Sequence, residues 1–269
     1  MRKLKKFGMY FVLVIVSLIS VFPLYWMIAA ATNNSTDVLA GKLTIGTHLI
    51  QNLTNLLERQ NVGRAFGNSM LFSCVLSFLS LVICSIAGYG FEIYHDKAKD
   101  QLMSILLLAM MVPFAATMIP LFKMFTGLHL QSTWIAYVLP TISTPFLIML
   151  FRQSARSFPT EIIEAARIDG LGELQIFIKI FMPTMKSTYA AAMTVTFMNA
   201  WNNYLWPKVI MMKESSQTMP MLVANLSSGY SIDYGVLMLG VLICSLPTGI
   251  LFLILQKSFA NGIVGAVKG

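Results

Sequence analysis

The sequence predicts an all-α, polytopic membrane protein with six transmembrane helices, and three observations support this prediction. Of the 269 residues, 57% are hydrophobic and only 11% are charged, whereas soluble domains have about 45–50% apolar and about 25% charged residues. Six apolar runs are long enough to cross a bilayer, and basic residues are concentrated in alternate loops. This composition argues against a soluble enzyme, a disordered chain and a nucleic-acid-binding arm.

The six predicted spans have the length that a bilayer requires. A helix rises about 1.5 Å per residue, so a hydrocarbon layer of about 30 Å takes about 20 residues. The predicted spans are residues 8–31, 66–91, 102–125, 134–151, 189–206 and 234–256. Because the first run is longer than the apolar region of a signal peptide, we expect it to be a retained membrane helix.

The third, fourth and sixth of these spans contain prolines. Proline removes one backbone donor, which membrane helices tolerate where neighbouring helices or water satisfy the freed carbonyl. There are two interpretations of these prolines. Either they form functional hinges at which the helices bend, or they reflect only the higher proline content of membrane helices. Both interpretations remain open at Pro113, Pro120, Pro140, Pro145 and Pro247.

The distribution of basic residues predicts the orientation. Short basic loops are retained on the cytoplasmic side during insertion, so we expect both termini to be cytoplasmic. With that orientation, 13 of the 19 basic residues lie inside: Arg2, Lys3, Lys5, Lys6, Lys97, Lys99, Arg152, Arg156, Arg167, Lys179, Lys186, Lys257 and Lys268.

The predicted spans carry no charged residue near their middles. Ion-driven transporters usually need ionisable groups at membrane depth, so energy for uphill transport would have to come from another subunit. The sequence also lacks the common nucleotide-binding, hydrolase and metalloprotease motifs, and Cys74, Cys84 and Cys244 have no metal-ligand spacing. We expect no catalytic residue, no metal site and no cofactor held by this chain.

The loop between the fourth and fifth spans, about residues 152–187, is too polar to cross the membrane. Pro159 and Thr160 predict a helix start, with Thr160 as the N-cap, and Gly170 and Gly172 predict its end. A short, rigid helix hung between two spans is suited to docking in a groove and transmitting a push. Spacings of three and four residues place Ile162, Ala165, Ala166 and Asp169 on one face, with Glu161, Glu164 and Ile168 on another.

This loop resembles the EAA loop of the permease subunits of bacterial ATP-binding-cassette importers. That motif reads EAA, three residues, G, nine residues and I-x-L-P. The matching residues are Glu164, Ala165, Ala166, Gly170, Ile180, Met182 and Pro183. The spacing agrees throughout, and the one departure, Met182 in place of Leu, conserves volume.

Further stretches narrow the resemblance to carbohydrate importers of the MalG type, and it then covers almost the whole chain. These stretches are FPLYW (22–26), MIPLF (118–122), WNNYLWP (201–207) and the C-terminal QKSFANGIVGAVKG. The resemblance implies a MalG/MetI-like permease fold with a cytoplasmic EAA coupling helix. It also implies one permease domain over residues 1–269, with a five-helix core at about 66–257.

The resemblance further implies a set of partners in the bacterial cytoplasmic membrane. They are a second, homologous permease, two ATPase subunits that use ATP and Mg, an extracellular sugar-binding protein and the sugar substrate, in a lipid bilayer and without nucleic acid. By analogy, the EAA helix docks on the ATPase, and the C-terminal tail also reaches that interface. The residues implied in coupling are Glu164, Ala165, Ala166, Asp169 and Gly170.

The end of the fifth span offers candidates for the translocation path. Amides can hydrogen-bond to sugar hydroxyls, and aromatic rings can stack on sugar rings. The alternative is hydrogen bonding between helices together with an aromatic belt at the membrane surface. The candidates are Asn199, Trp201, Asn202, Asn203 and Tyr204. The following loop, residues 208–233, resembles the external loop that meets the binding protein, or is a plain connector.

Three other functions compete with a sugar permease. The first is a permease for glycerol phosphate or a polyol in the same importer class, which basic residues in the pore would favour. The second is a stand-alone channel or ion-coupled carrier, and the third is a membrane scaffold. A self-sufficient channel has no need of a docking helix, so the loop separates these classes.

Overall fold

The computed structural model describes residues 2–228 and 231–267, with side chains described for residues 6–228 and 231–256. Within these ranges the chain is helical and contains no strand. Short 3₁₀-helices at Leu139–Thr141 and Glu214–Ser216 and a π-helix at Phe177–Phe181 supplement the α-helices. The α-helices are α1 (Arg2–Ala31), α2 (Ser35–Leu39), α3 (Leu49–Arg59), α4 (Val62–Ile93), α5 (Lys97–Ala109), α6 (Phe114–Gly127), α7 (Trp134–Val138), α8 (Pro145–Arg156), α9 (Thr160–Ile168), α10 (Glu173–Ile176), α11 (Met182–Thr184), α12 (Lys186–Trp201), α13 (Leu205–Ile210), α14 (Met219–Leu226) and α15 (Tyr234–Val267).

Three predicted spans are single helices that are long and apolar enough to cross a membrane. They are Lys6–Ala31, Val62–Ile93 and Tyr234–Gln256. These correspond to the first, second and sixth predicted spans, and the all-helical, membrane-embedded fold class is confirmed.

The third and fourth predicted spans are broken. Helices α5 and α6 meet at 96°, and the Trp134–Thr141 segment meets α8 at 53°. Pro113 caps the N-terminus of α6, and Pro145 is the first residue of α8. Because the residue before a proline is driven out of the helical region, Thr144 is extended, with φ −113° and ψ 132°. Pro120 and Pro247, in contrast, lie inside continuous helices.

The fifth predicted span is shorter than expected. Helix α12 ends at Trp201, and Asn202 forms its C-cap, so the predicted helix over 189–206 is wrong in its last turn. Asparagine favours helix ends over helix interiors because its side chain competes for backbone hydrogen bonds. The described residues hold up to five spans if each bent pair counts as one, so the number of six stays a prediction.

The chain divides into two compact units. One comprises Met1–Arg64 with Met219–Leu246, and the other comprises Ala65–Thr218 with Pro247–Gly269. The single permease domain over residues 1–269, with its core at about 66–257, remains a prediction.

In the first unit, Asn52 joins several backbone segments. Its Nδ2 donates to the carbonyls of Ala31 and Asn33, each at 2.9 Å, and thereby caps the end of α1. Gly235 is required nearby, because a Cβ there would lie 2.4 Å from the Asn33 carbonyl oxygen. The start of α15 is therefore packed tightly against the segment that follows α1.

In the second unit, α4 approaches α8 closely at Gly88. A Cβ at Gly88 would lie 2.6 Å from the Phe151 Cβ and 2.7 Å from the Arg152 nitrogen. A buried cluster next to this contact joins α4, α5, α8 and α12 through Cys84, Met103, Leu147, Ile148, Phe151 and Ala192. This packing holds α8, from which the loop at 152–187 begins, firmly against α4.

Candidate coupling loop and translocation cavity

Helix α9 forms where the loop sequence predicts it, but it begins differently. Thr160 is its first helical residue, and Pro159 is the N-cap, with no side-chain capping bond. The prediction of Thr160 as N-cap is therefore wrong. Pro159 has φ −63° and ψ 118°, an extended geometry that the proline ring itself favours, and Glu161 lies in the first turn near the positive end of the helix dipole.

The end of α9 explains the glycine of the motif. Gly170 has φ +81°, in the region that only glycine adopts without cost. Its N–H donates to the Arg167 carbonyl, and the Leu171 N–H donates to the Ala166 carbonyl, both at 3.0 Å. This pair of bonds is the Schellman motif. A Cβ at Gly170 would meet nothing within 4 Å, so backbone conformation, and not space, requires the glycine.

The faces of α9 differ from the predicted ones. Ile163 and Ala166 are 1% and 5% exposed and pack against the rest of the unit. Ala165 lies on the exposed side. The predicted face that joined Ala165 to Ala166 is therefore split, because the helix rolls its 163/166 edge inward.

The exposed face of α9 carries the other candidates. Glu164, Ala165, Asp169 and Gly170 are all exposed. Ile168 joins them and is 87% exposed, an unusual position for an isoleucine in a folded chain. The exposed side of α9 thus carries the acidic side chains of Glu164 and Asp169 beside the apolar side chain of Ile168.

An aromatic cluster holds α9 to α4. The Tyr89 ring on α4 lies 4.8 Å from the Phe181 ring and 5.3 Å from the Phe177 ring, both edge to face. Phe158, immediately before α9, contacts Phe181 at 5.8 Å. Ile163 and Ala166 belong to the same buried cluster. The cluster therefore packs α9 against α4 near its C-terminal end.

An ion pair closes the turn after α9. The Arg167 Nε donates to the Glu173 Oε1 at 2.7 Å. This bond lowers the pKa of the Glu173 carboxyl below its usual value, and a contact with Tyr94 at the end of α4 lowers it further. The turn is thus joined to α4 by polar contacts as well as aromatic ones.

A second polar contact joins α8 to α4 and α5. Arg152 Nε donates to Glu92 Oε2 at 3.1 Å, and Arg152 Nη2 donates to Asp100 Oδ1 at 2.5 Å. The hydrogen bond from Arg152 lowers the pKa of the Asp100 carboxyl below its usual value. His95 also contacts Asp100, at 2.9 Å. Arg152, the first residue of the loop, therefore ties three helix ends together.

A cavity of about 190 Å³ lies at the break between α7 and α8 and beside α12. Asn199 and Asn203 line it, together with Thr141, Thr144 and Thr196. The remaining lining is apolar: Leu76, Phe146, Leu147, Val195 and Ala200. Amide and hydroxyl groups set among aliphatic side chains can bind a neutral polar solute.

The other three path candidates lie elsewhere. Trp201 is 1% exposed, and its ring stacks on Phe197 at 5.8 Å and meets Phe66 edge to face at 5.4 Å. Asn202 and Tyr204 are exposed and do not line this cavity. The structure therefore brings together two of the five predicted residues, and it gives Trp201 a packing role.

Buried hydrogen bonds fix the segment around these residues. The Tyr137 hydroxyl donates to the Ala200 carbonyl at 2.5 Å, and Trp206 Nε1 donates to the Ala136 carbonyl at 2.8 Å. Both bonds run between α7 and the α12–α13 segment. They hold the end of α12 in place although the helix stops at Trp201.

Sequence reasoning missed several residues of these sites. Thr141 and Thr144 lie at the break beside Pro140 and Pro145, so a break at those prolines was the available signal. Ile168 was grouped correctly with Glu161 and Glu164, which are also exposed, but it was not among the residues implied in coupling. The contacts of Arg152 join residues far apart in sequence, and the sequence contains no local signal for them.

Two further predictions are not tested by the described side chains. The side chains of the tail from residue 257 onward lie outside the described residues, although the backbone of α15 continues to Val267. Within the described residues, no group of three His, Cys, Asp or Glu side chains could hold a metal ion.

Comparison with known proteins identifies the family. Residues 80–265 match the model of the "Binding-protein-dependent transport system inner membrane component" family. The chain is 41% identical over 267 residues to the lactose transport system permease protein LacG of Rhizobium radiobacter, covering 99% of this chain and 98% of LacG. It is 35% identical over 260 residues to the arabinooligosaccharides transport system permease protein AraQ of Halalkalibacterium halodurans, covering 94% of this chain and 93% of AraQ.

A solved structure shares the fold. A chain of a bacterial ABC transporter involved in the import of the acidic polysaccharide alginate matches with a TM-score of 0.84 and 19% identity. The match covers 96% of this chain and 98% of that chain. Because the family model matches more than half of the residues, this protein belongs to the family of binding-protein-dependent transport system inner membrane components, and it is a non-catalytic transport subunit.

Proposed function

We propose that this chain is one permease half of an ATP-driven sugar importer and that its EAA loop couples it to the ATPase. The observation that carries the proposal is the two-sided construction of α9. Ile163 and Ala166 anchor the helix in the permease, while Glu164, Ala165 and Ile168 face outward. A docking helix needs both an anchored face and a free one.

The partners follow from this role. The family implies an ATPase and a substrate-binding protein. We propose two ATPase subunits, which bind the ATP and Mg, and a second, homologous permease that completes the path. The basic loops support an orientation with both termini in the cytoplasm, which puts α9 on the side where ATP is available.

Ile168 supplies the apolar part of the proposed docking surface. An isoleucine that is 87% exposed would gain about 1.5–3 kcal/mol from full burial in a partner groove. Glu164 and Asp169 beside it add negative charge, which favours a complementary basic rim. Ala165 lies between them and lets the partner backbone approach closely.

A movement of the ATPase would be transmitted to the membrane helices through contacts between α9 and its neighbours. The Tyr89 ring contacts Phe177 and Phe181, so a displaced α9 carries the end of α4 with it. Arg152 on α8 contacts Glu92 on α4 and Asp100 on α5, so the ends of α5 and α8 would move as well. Closure of the ATPase dimer would thereby swing the permease between inward- and outward-facing states.

The cavity supports a neutral sugar in preference to a phosphorylated solute. Its polar groups are the amides of Asn199 and Asn203 and three threonine hydroxyls, and none of the described residues that line it is an arginine or a lysine. LacG and AraQ are named for a disaccharide and an oligosaccharide. A glycerol phosphate permease, the alternative in the same class, would need cationic groups where these amides lie.

Charge reversal on α9 tests the proposal. Glu164→Lys in the complete transporter should abolish ATP-dependent sugar uptake into vesicles and weaken copurification of the ATPase, while the permease remains inserted. Glu58→Lys on α3 is the matched control, because Glu58 is exposed and belongs to the other unit. Unchanged uptake in Glu164→Lys, with Ile168→Asp also active, would refute coupling through this helix.

A further inference from the structure

Helix α4 carries two buried hydroxyl groups near the middle of a membrane span. Ser77 and Ser80 lie close to the centre of the Val62–Ile93 helix, and both are 0% exposed. Neither hydroxyl has a hydrogen-bond partner among the described residues. Hydroxyl groups in a membrane bundle usually bond across helices or to a backbone carbonyl, because an unpaired polar group is costly in an apolar interior. The two serines therefore require an explanation.

Two other buried hydroxyls of the same unit show the usual pairing. Ser85, also on α4 and 0% exposed, donates to the Val82 carbonyl at 3.2 Å. Thr196 on α12 donates to the Ala192 carbonyl at 2.7 Å. Burial inside this unit is thus compatible with a bonded hydroxyl, and Ser77 and Ser80 differ from these neighbours in their pairing and not in their burial.

The position of Ser80 on α4 directs it toward the break between α7 and α8. Leu76, one turn before Ser80, lines the cavity at that break. Cys84, one turn after it, contacts the Thr144 carbonyl through Sγ at 3.9 Å, and Thr144 also lines the cavity. Residues three and four apart share one side of a helix. Ser80 therefore lies on the side of α4 that faces the cavity, and Ser77 lies on the same side.

The cavity is small for the sugar of the proposed function. Its volume is about 190 Å³, whereas ligand pockets usually enclose about 300–1,000 Å³. Thr141 lines it with a hydroxyl that likewise has no partner in the described part of the chain. The wall that holds Thr141 is the 53° break before α8, and broken backbone at membrane depth is tolerated where it lines a cavity. Separation of this wall from α4 would widen the cavity toward the two serines.

We infer that Ser77 and Ser80 are sugar-path residues, which are covered in this conformation and become exposed to the path when the α7–α8 break separates from α4. The inference rests on the proposed function as a sugar permease. In the wider cavity the serine hydroxyls and that of Thr141 bond to sugar hydroxyls, together with the amides of Asn199 and Asn203. The unpaired hydroxyls also make the covered arrangement less stable than a fully paired interior, which favours the opening.

Alanine substitution separates a path role from a packing role. A buried hydroxyl without a partner does not stabilise the bundle, so Ser77→Ala and Ser80→Ala should leave the unfolding temperature unchanged or raise it. Each should raise the KM for ATP-dependent sugar uptake by about two- to tenfold, because a hydrogen bond to the sugar is lost. Ser85→Ala is the matched control and should leave the KM unchanged. Normal ATP-dependent uptake with an unchanged KM in both Ser77→Ala and Ser80→Ala would overturn the inference and leave the proposed function standing.

Thiol labelling in the complete transporter tests whether the two positions become exposed. The native cysteines, all free, are first replaced by alanine, and ATP-dependent sugar uptake verifies that this background is active; they are Cys74, Cys84 and Cys244. Single cysteines are then introduced by Ser77→Cys, Ser80→Cys and Ser85→Cys. A small, membrane-impermeant methanethiosulfonate is applied to liposomes without nucleotide, and again during turnover with ATP, binding protein and sugar.

The inference predicts labelling at positions 77 and 80 during turnover and none at position 85. Absence of labelling at 77 and 80 under both conditions, in liposomes that take up sugar, would overturn it. Equal labelling at 85 would indicate a general loosening of the bundle and would also overturn it. Absence of ATP-dependent sugar uptake by the unaltered complex would instead refute the proposed function, and the inference with it.

Discussion

Ala165 and Ala166 are neighbours in sequence, yet α9 exposes the first and buries the second. Ala166 is 5% exposed and packs within the cluster of Phe158, Ile163 and Phe177, whereas Ala165 faces outward. Small size therefore has a different reason at each position. Ala166 fits a filled interior, and Ala165 leaves room for a partner.

Enlarging the two alanines should separate folding from docking. Ala166→Leu overpacks the cluster and should destabilise the permease by about 1–3 kcal/mol. Ala165→Leu should leave the thermal unfolding of the permease unchanged and reduce copurification of the ATPase. Equal losses of thermal stability in both variants would contradict the assignment of faces.

Gly170 should be replaceable only by residues that tolerate a positive φ. Gly170→Val should impair uptake, because a branched side chain in the left-handed region costs about 1–2 kcal/mol and the end of α9 would shift. Gly170→Asn should be milder, since asparagine adopts this region more readily. Gly172→Ala is the control, because Gly172 has φ −73° and open space around it. Uptake that is equally sensitive at both glycines would argue against the conformational explanation.

Arg152 should give the permease a pH-dependent part of its stability. Arg152→Gln should lower the unfolding temperature near neutral pH, and exposed Arg156→Gln should not. The folded pKa of Asp100 is lowered by Arg152. The contribution is therefore present above the ordinary carboxyl pKa of about 3.9 and is lost as the pH falls through the lowered value.

The unfolding temperatures of the wild-type and Arg152→Gln proteins should accordingly converge in acid. Differential scanning fluorimetry in detergent from pH 7 downward measures this difference. A gap that stays constant, or widens, as the pH falls would show that the Arg152–Asp100 contact does not stabilise the folded permease.

Substitutions of the cavity asparagines should change the KM for sugar uptake, whereas substitution of Trp201 should change stability. Asn199→Ala and Asn203→Ala each remove a hydrogen-bonding group, so we expect about a two- to tenfold rise in the KM for sugar uptake. Trp201→Ala should instead create a cavity and lower the free energy of unfolding by on the order of 3 kcal/mol. An unchanged KM in both asparagine variants would move the sugar path away from this cavity.

The local features of α9 were predictable from the sequence because they depend on nearby residues. Pro159 begins the helix and Gly170 ends it, and both act through their own backbone geometry. The buried face was not predictable, because Ile162, Ile163 and Ile168 distribute apolar surface around the helix. Ile163 is buried in a cluster with Tyr89 of α4 and with Phe177 and Phe181, which are distant from it in sequence or lie beyond the end of α9.

The breaks in the spans show a similar limit. Pro145 starts a new helix, while Pro120 and Pro247 sit within continuous ones. Thr144 offers a side-chain cap to the Leu147 N–H, and this alternative to a continuous helix is local. The pairing of Arg152 with Glu92 and Asp100 joins distant residues, so no local pattern indicates it.

Reconstituted transport tests the central claim most directly. The chain, its partner permease, the ATPase and the binding protein are placed together in liposomes, and radiolabelled sugar uptake is compared with that of liposomes holding this chain alone. We predict uptake only in the complete set and only with ATP, and its loss in Glu164→Lys. Sugar flux through this chain alone, without nucleotide, would contradict a permease that depends on a separate motor.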